Sequence, residues 1–322
     1  MGDRMGDTLR DEALIDALTG IVSRAAAAIL KARAGTLATR HKADRTPVTA
    51  ADEASEAIIL EGLAQVLPGV PVVSEEAGAT AELAGDAYLL VDPLDGTREL
   101  VAGRDEFCVN IALVSAGRAR LGLIGSPALG LIWRTGTQGA ERLTLAPGAE
   151  PKSATERSTI RTRPWPQTGA IAAISRSHLD ARTQAFLGRL PPTERIASGS
   201  ALKLCRLAEG QADVYPRLSP VCQWDLAAGD ALVSAAGGLV TTPEGAPLTY
   251  DMLRERFLVD GFIAWGDPSA TRLVSTTAIE PISAHSRESG NPGAENSAKE
   301  LGPRVRGDER NRKAIQTQLI SR

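Results

Sequence analysis

Near the start of the chain, Leu14, Leu18, Ile21 and Ala25 recur at helical spacing. They predict an amphipathic helix over residues 9–34, with Gly35 as its stop. The polar stretch 36–48 reads as a loop, in which His41, Lys42, Asp44 and Arg45 are either solvated or placed near an anion. Thr49 then stands where a helix cap belongs, opening a second helix to Leu67 that Pro68-Gly69 closes. Val72-Val73 and Tyr88-Leu89-Leu90-Val91 are short apolar runs of the kind that form buried strands. Further runs at Val109–Val114, Leu121–Ile124 and Leu131–Trp133 are separated by Ala116-Gly117-Arg118 and Pro127, and they predict a β-meander over 107–145. Residues 146–168, rich in Pro, Thr and Ser, read as a connection between two halves. A strand at Ala170–Ile174 follows, then helices near Asp180–Arg189, Ala201–Glu209 and Leu226–Ala236. Strands alternating with helices after an antiparallel meander indicate a layered α/β (mixed α+β) fold.

Composition refines this picture. The chain has 322 residues, 43% hydrophobic but only 3% aromatic, enough for a large core built from Ala, Leu, Val and Ile. The expected organisation is an N-terminal half over 1–150, a C-terminal half over 151–278 and a tail over 279–322. The tail carries the polar, breaker-rich run Ser286–Gly293 and then Arg304, Arg306, Arg310, Arg312 and Lys313 with few apolar neighbours. Such a stretch buries too little surface to offset chain entropy and is expected to be disordered. A formal net charge of −3 provides no basic field for nucleic acid, so the expected partner is a small molecule. Cys108, Cys205 and Cys222 fit neither a zinc motif nor a disulfide framework, and are expected to be thiols in a reducing cytoplasm. No stretch reads as a membrane helix and Met1–Met5 lacks a signal-peptide core. Peripheral association with the cytoplasmic face of the inner membrane stays open, as does oligomeric state.

The densest chemistry is Asp92-Pro93-Leu94-Asp95-Gly96-Thr97, directly after the Tyr88–Val91 strand. Two carboxylates at a strand end, braced by proline, suit a hard divalent cation such as Mg²⁺, which takes oxygen ligands. Asp-Gly alone would signal only a hairpin turn. Two further segments argue against that reading: Ser74-Glu75-Glu76 ends another short strand, and Trp224-Asp225-Leu226-Ala227-Ala228-Gly229 places an acid at the head of an alanine-rich helix. Taken singly, Glu75 and Glu76 fit a solvated pair, Asp225 fits an N-cap, and Asp52 fits a helix-dipole partner.

Together these three motifs resemble the signature of the lithium-sensitive, magnesium-dependent phosphatase superfamily that includes inositol monophosphatase. The resemblance extends over about residues 10–265, through Thr46–Asp52, Val109–Leu113, Ile174–His178, Gly199–Lys203, Glu209–Ala212 and Tyr215–Arg217. The Ser-Arg-Ser-His, Leu-Lys and Tyr-Pro-Arg segments resemble its bisphosphate nucleotidase branch. The resemblance implies an α/β/α/β/α sandwich and two or more Mg²⁺ ions per active site. It implies that Glu75, Asp92, Asp95 and Asp225, with the Leu94 carbonyl, ligate metal, and that Asp92 bridges. Asp52 and Thr97, with Glu75, would orient and deprotonate the attacking water, while Glu76 would stand behind the ligands. Asp95, Gly96 and Thr97 would hold the phosphate that is cleaved. Ser175, His178, Ser200, Lys203 and Arg217 would take the rest of a bisphosphorylated nucleotide, each with a helix-capping, structural or solvated alternative. The implied activity is removal of the 3'-phosphate of adenosine 3',5'-bisphosphate, a by-product of sulfate assimilation, and of the related sulfate donor. An inositol or sugar phosphate as substrate and a non-catalytic metal- or nucleotide-binding role remain as alternatives.

Overall fold

Helix α1 (Glu12–Arg33) begins at Asp11, whose carboxylate accepts from the Ala13 N–H at 2.9 Å, and ends with Lys31 and Arg33 in its last turn. Its stripe of Leu14, Ile15, Leu18, Ile21, Val22, Ala25 and Ile29 is buried. A computed structural model describes residues 11–35, 39–41, 47–79, 87–176, 179–250 and 257–274. The expected tail therefore lies outside the described residues. Those that are described fall within one compact unit.

A short hairpin, β1 (Thr39–His41) and β2 (Pro47–Thr49), leads into α2 (Ala50–Val66). Strands β3 (Val72–Ser74), β4 (Gly78–Ala79) and β5 (Ala87–Asp95) precede a short α3 (Thr97–Val101). The meander follows as β6 (Cys108–Ser115), β7 (Arg118–Ser126), β8 (Leu131–Gly136) and β9 (Gly139–Thr144). The stretch expected to be a plain connection contributes a strand instead, β10 (Glu156–Ile160). It pairs with β9 at the edge of an eight-stranded sheet of order β10-β9-β8-β7-β6-β5-β3-β4. The remaining elements are β11 (Ala170–Ser175), α4 (Ala181–Leu187), β12 (Thr193–Ser198), α5 (Leu202–Ala208), β13 (Val214–Arg217), β14 (Val221–Cys222), α6 (Gln223–Ala235), β15 (Leu239–Thr241), β16 (Leu258–Val259) and β17 (Phe262–Trp265). Five of these strands form a second sheet of order β12-β11-β13-β17-β15, in which β11 runs parallel to β12 and β13.

Alternation along the central strands builds the layers. Leu89 and Val91 of β5 face a core shared with Leu18, Ile21, Ile59 and Leu63 of α1 and α2. Tyr88 and Leu90 point the other way, into a core with Leu204 and Leu207 of α5, Leu226 and Leu232 of α6, and Ala173 and Ala264 of the second sheet. The far face of that sheet packs Ala172, Val214 and Trp265 against Phe186 and Leu187 of α4. The result is the expected α/β/α/β/α sandwich. Helix α6 presses on β7 so closely that a Cβ on Gly122 would overlap the backbone of Ala228. By length and composition α1 is apolar enough to cross a membrane, contrary to the expectation that no stretch is. Burial of 61% of its apolar window accounts for that composition, because the helix serves the core.

Candidate active site

The Asp-Pro-Leu-Asp motif does not follow β5; it is the end of that strand. Pairing with β6 runs in register to Asp92 opposite Asn110, shifts, and resumes with Asp95 opposite Cys108. The bulge re-aims both acids, and Pro93 fits there because it has no N–H to leave unpaired. The Leu94 N–H donates to Asp92 Oδ1 at 3.0 Å, and the Pro93 carbonyl accepts from the Ser55 hydroxyl at 2.7 Å. Gly96 then turns the chain with φ +96°, close enough that a Cβ would lie 2.9 Å from the Glu106 carbonyl oxygen. Glu75, at the end of parallel strand β3, donates its backbone N–H to the Val91 carbonyl at 3.1 Å, which brings the two acidic strand ends side by side. Asp225 sits in the first turn of α6, but Cys222 occupies the cap position, so the N-cap alternative for Asp225 fails.

Carboxylate oxygens of Glu75, Asp92 and Asp225 lie within 4.8 Å of one another. Asp95, Leu94, Gly96 and Thr97 line the same pocket, of about 310 Å³. The charges are poorly tolerated without a counter-ion. Burial, then Glu75, Asp95 and Asp225, pushes the Asp92 carboxyl well above the usual carboxylate range. Burial, then Asp95 and Glu75, raises Asp225 to about 8, against the pull of Arg217. Such an oxygen-only set fits a hard cation, which would neutralise the crowding that raises these values. Glu76 is half-buried and stands outside both the carboxylate group and the pocket lining.

Asp52 reconciles its two readings by using one oxygen for each. Oδ2 accepts from the Thr49 N–H and hydroxyl, both at 2.8 Å, completing a capping box on α2. Oδ1 accepts from the Thr97 hydroxyl at 2.9 Å, and the Leu94 carbonyl lies 3.1 Å from that same hydroxyl. Asp52 is 2% exposed, so it reaches the pocket only through Thr97.

Ser175, Ser200, Lys203 and Arg217 line the same pocket. Ser200 is not a helix cap: α5 is capped at Ala201, and Ser200 adopts a left-handed φ of +54° with its hydroxyl oxygen accepting from the Ala201 N–H at 2.6 Å. Lys203 is not a solvated cation. It is 4% exposed, donates to the carbonyls of Ser198 and Ser200 at 3.2 and 2.6 Å, and lies 5.3 Å from the Tyr215 ring centre. The Arg217 Nη2 donates weakly to the Pro220 carbonyl at 3.4 Å. His178 lies outside the described residues. The Arg176 guanidinium, next to Ser175, is absent from the lining and is engaged by Glu106. Sequence reasoning missed Tyr215, Trp224 and Phe262 as pocket walls, although the first two lie inside motifs it singled out. Tyr215 and Phe262 meet edge to face at 5.1 Å. In a chain with so few aromatics, three at one pocket form a surface suited to a flat ring.

Acids converging from two strand ends and a helix, beside a hydroxyl–carboxylate pair, form a candidate metal site of the kind used by phosphomonoesterases of α/β sandwich fold. The sequence profile of the inositol monophosphatase family matches residues 10–271, and the chain belongs to that family, whose members are metal-dependent. It is 38% identical to the 3'(2'),5'-bisphosphate nucleotidase CysQ of Escherichia coli K12 over 255 residues, 77% of this chain and 98% of the relative. It is 40% identical to CysQ of Salmonella typhimurium LT2 over 225 residues, 69% of this chain and 86% of the relative. The crystal structure of CysQ from Bacteroides thetaiotaomicron superposes with a TM-score of 0.64 at 30% identity, covering 77% of this chain and 95% of that one. An inositol monophosphatase from Anabaena gives 0.63 at 25% identity, covering 81% and 94%.

Proposed function

We propose that this protein is a Mg²⁺-dependent phosphatase that removes the 3'-phosphate of adenosine 3',5'-bisphosphate, yielding AMP and phosphate, and that it also accepts the related sulfate donor. One observation carries the reading: an oxygen-only carboxylate cluster, a buried lysine and an arginine line one pocket. The cluster suits the phosphate being cleaved, the lysine and arginine a further anion on the same molecule. The names of the relatives at 38–40% identity point to the same substrate class.

Glu75, Asp92, Asp95 and Asp225, with the Leu94 carbonyl, would hold the ions. Cations held there would supply charge neutralisation, water activation and leaving-oxygen stabilisation. The chain's own contribution is orientation and proton handling. The Thr97 hydroxyl donates to Asp52, which leaves its oxygen lone pairs turned outward to accept a hydrogen bond from the attacking water. Asp52 is held in place by Thr49, so the pair keeps its direction through the reaction. Gly96, with its positive φ and no room for a Cβ against the Glu106 carbonyl, sets the turn that carries Thr97. Lys203 and Arg217 would pair with the 5'-phosphate, and the Tyr215–Phe262 corner with the base.

Phosphate release from adenosine 3',5'-bisphosphate, adenosine 5'-phosphate and inositol 1-phosphate, with and without Mg²⁺, tests this. The expected result is Mg²⁺-dependent release from the bisphosphate at the highest kcat/KM. Preference for the inositol ester would overturn the substrate, and metal-independent release would overturn the mechanism.

A further inference from the structure

Glu106 lies outside the pocket, between α3 and β6, and touches both of its walls from behind. Its carboxylate takes a two-pronged pair from Arg176, with Nε donating to Oε2 at 3.0 Å and Nη2 to Oε1 at 2.7 Å. Oε2 also accepts from the Gly199 N–H at 3.2 Å. Arg176 Nη2 has a second acceptor, the Ala197 carbonyl at 3.3 Å. The main-chain carbonyl of Glu106 abuts the turns on both sides. It would stand 2.9 Å from a Cβ on Gly96 and 3.0 Å from one on Gly199. Gly96 begins the turn that carries Thr97, on the phosphate side. Gly199 precedes Ser200, whose left-handed backbone needs support from its surroundings.

We infer that Glu106 and Arg176 form a positioning pair that fixes the spacing between the phosphate-cleaving wall and the Ser200–Lys203 wall, and thereby sets selectivity for substrates that span both. The inference rests on the proposed nucleotidase reading. Neither side chain lines the pocket, so the pair acts through the backbone it holds. The Arg176 and Glu106 side chains are 41% and 22% exposed, which keeps the ion pair's direct contribution to stability small. Its geometry, by contrast, is demanding. A planar fork meets two carboxylate oxygens, and neither lysine nor glutamine reproduces that match.

The test uses the full chain with Mg²⁺ and two substrates, adenosine 3',5'-bisphosphate and p-nitrophenyl phosphate, which has no second anion to place against Lys203. Glu106→Gln puts an amide N–H₂ against the guanidinium. It should raise KM for the bisphosphate about tenfold while kcat/KM for the aryl phosphate stays within about twofold of wild type. Arg176→Ala should do the same, Arg176→Lys should recover part of the loss, and the double variant should be no worse than the worse single one, because both act through one contact. Equal losses on both substrates, or additive losses in the double variant, would overturn the inference while leaving the activity intact. A wild-type protein that releases no phosphate from the bisphosphate would overturn the proposed function and the inference with it.

Discussion

Asp52 joins folding and chemistry through its two oxygens, and the two roles separate by mutation. Thr97→Val removes only the hydroxyl that Asp52 orients. It should lower kcat by about 10²–10⁴-fold, the usual range for losing positioned proton transfer, with the unfolding midpoint almost unchanged. Asp52→Ala also removes the capping box. It should lose comparable activity and destabilise the fold by about 1 kcal/mol in urea titration. Asp225 makes a second prediction. Its folded pKa of about 8, raised by burial and by Asp95 and Glu75, lies above that of an unfolded aspartate. Its contribution to stability is therefore present in full below the ordinary carboxylate range and is lost as pH rises through 8. A cation needs the deprotonated form, so binding releases protons and affinity should climb with pH, levelling above about 8. Calorimetric Mg²⁺ titrations in buffers of different ionisation enthalpy check this, and a flat affinity between pH 6 and 8 would contradict it. Much at this scale was legible in the sequence, because acids three apart beside proline and glycine have few other uses. The left-handed Ser200 and the buried Lys203 were not, since backbone strain and burial come from tertiary neighbours.

Helix α6 is the element on which the site depends most, because it alone carries an acid from the C-terminal part of the chain to the strand ends of β3 and β5. It is set by close backbone approach to β7. Gly122→Ala would force α6 away from the sheet, since the obstacle is the Ala228 backbone and not a flexible side chain. We expect a loss on the order of 1–3 kcal/mol in chemical denaturation, the usual range for overpacking, and weaker Mg²⁺ activation from the same shift. An unchanged metal response in a folded Gly122→Ala protein would show that α6 tolerates displacement. Among the strands that escaped sequence reading, β10 and β12 share a physical cause. β10 and β12 are edge strands whose residues are mostly exposed or half-buried. Glu156-Arg157-Ser158-Thr159-Ile160 and Thr193-Glu194-Arg195-Ile196 show no apolar run, because a neighbouring backbone that local sequence does not reveal completes their pairing. The central strands of the large sheet were legible because both of their faces are buried over a long run, as the unbroken burial of Tyr88 through Leu94 records, whereas β13 and β17 of the second sheet, equally buried, span only four residues each and went unread.

At the scale of the whole molecule, the layered sandwich followed from alternation of strands and helices, while the way its layers share one pocket did not. Residues from β5, α3, β11, α5, β13 and α6 line it together with Glu75 just beyond β3, and only the resemblance of scattered motifs indicated that they would meet. The family match ends at residue 271, and every residue of the described site precedes it. Removing residues 280–322 should therefore leave Mg²⁺-dependent kcat/KM within about twofold of the intact chain, a change too small to indicate a lost transition-state contact. A large fall in turnover would show that the tail serves the reaction. The wide separation of the acids along the sequence has one more consequence. During synthesis Glu75, Asp92 and Asp95 are joined to the chain 130 to 150 residues before Asp225, as the numbering requires. A half-made protein thus owns most of its donors without an enclosure to put them in, and ion capture becomes a late event that rewards completion of the chain.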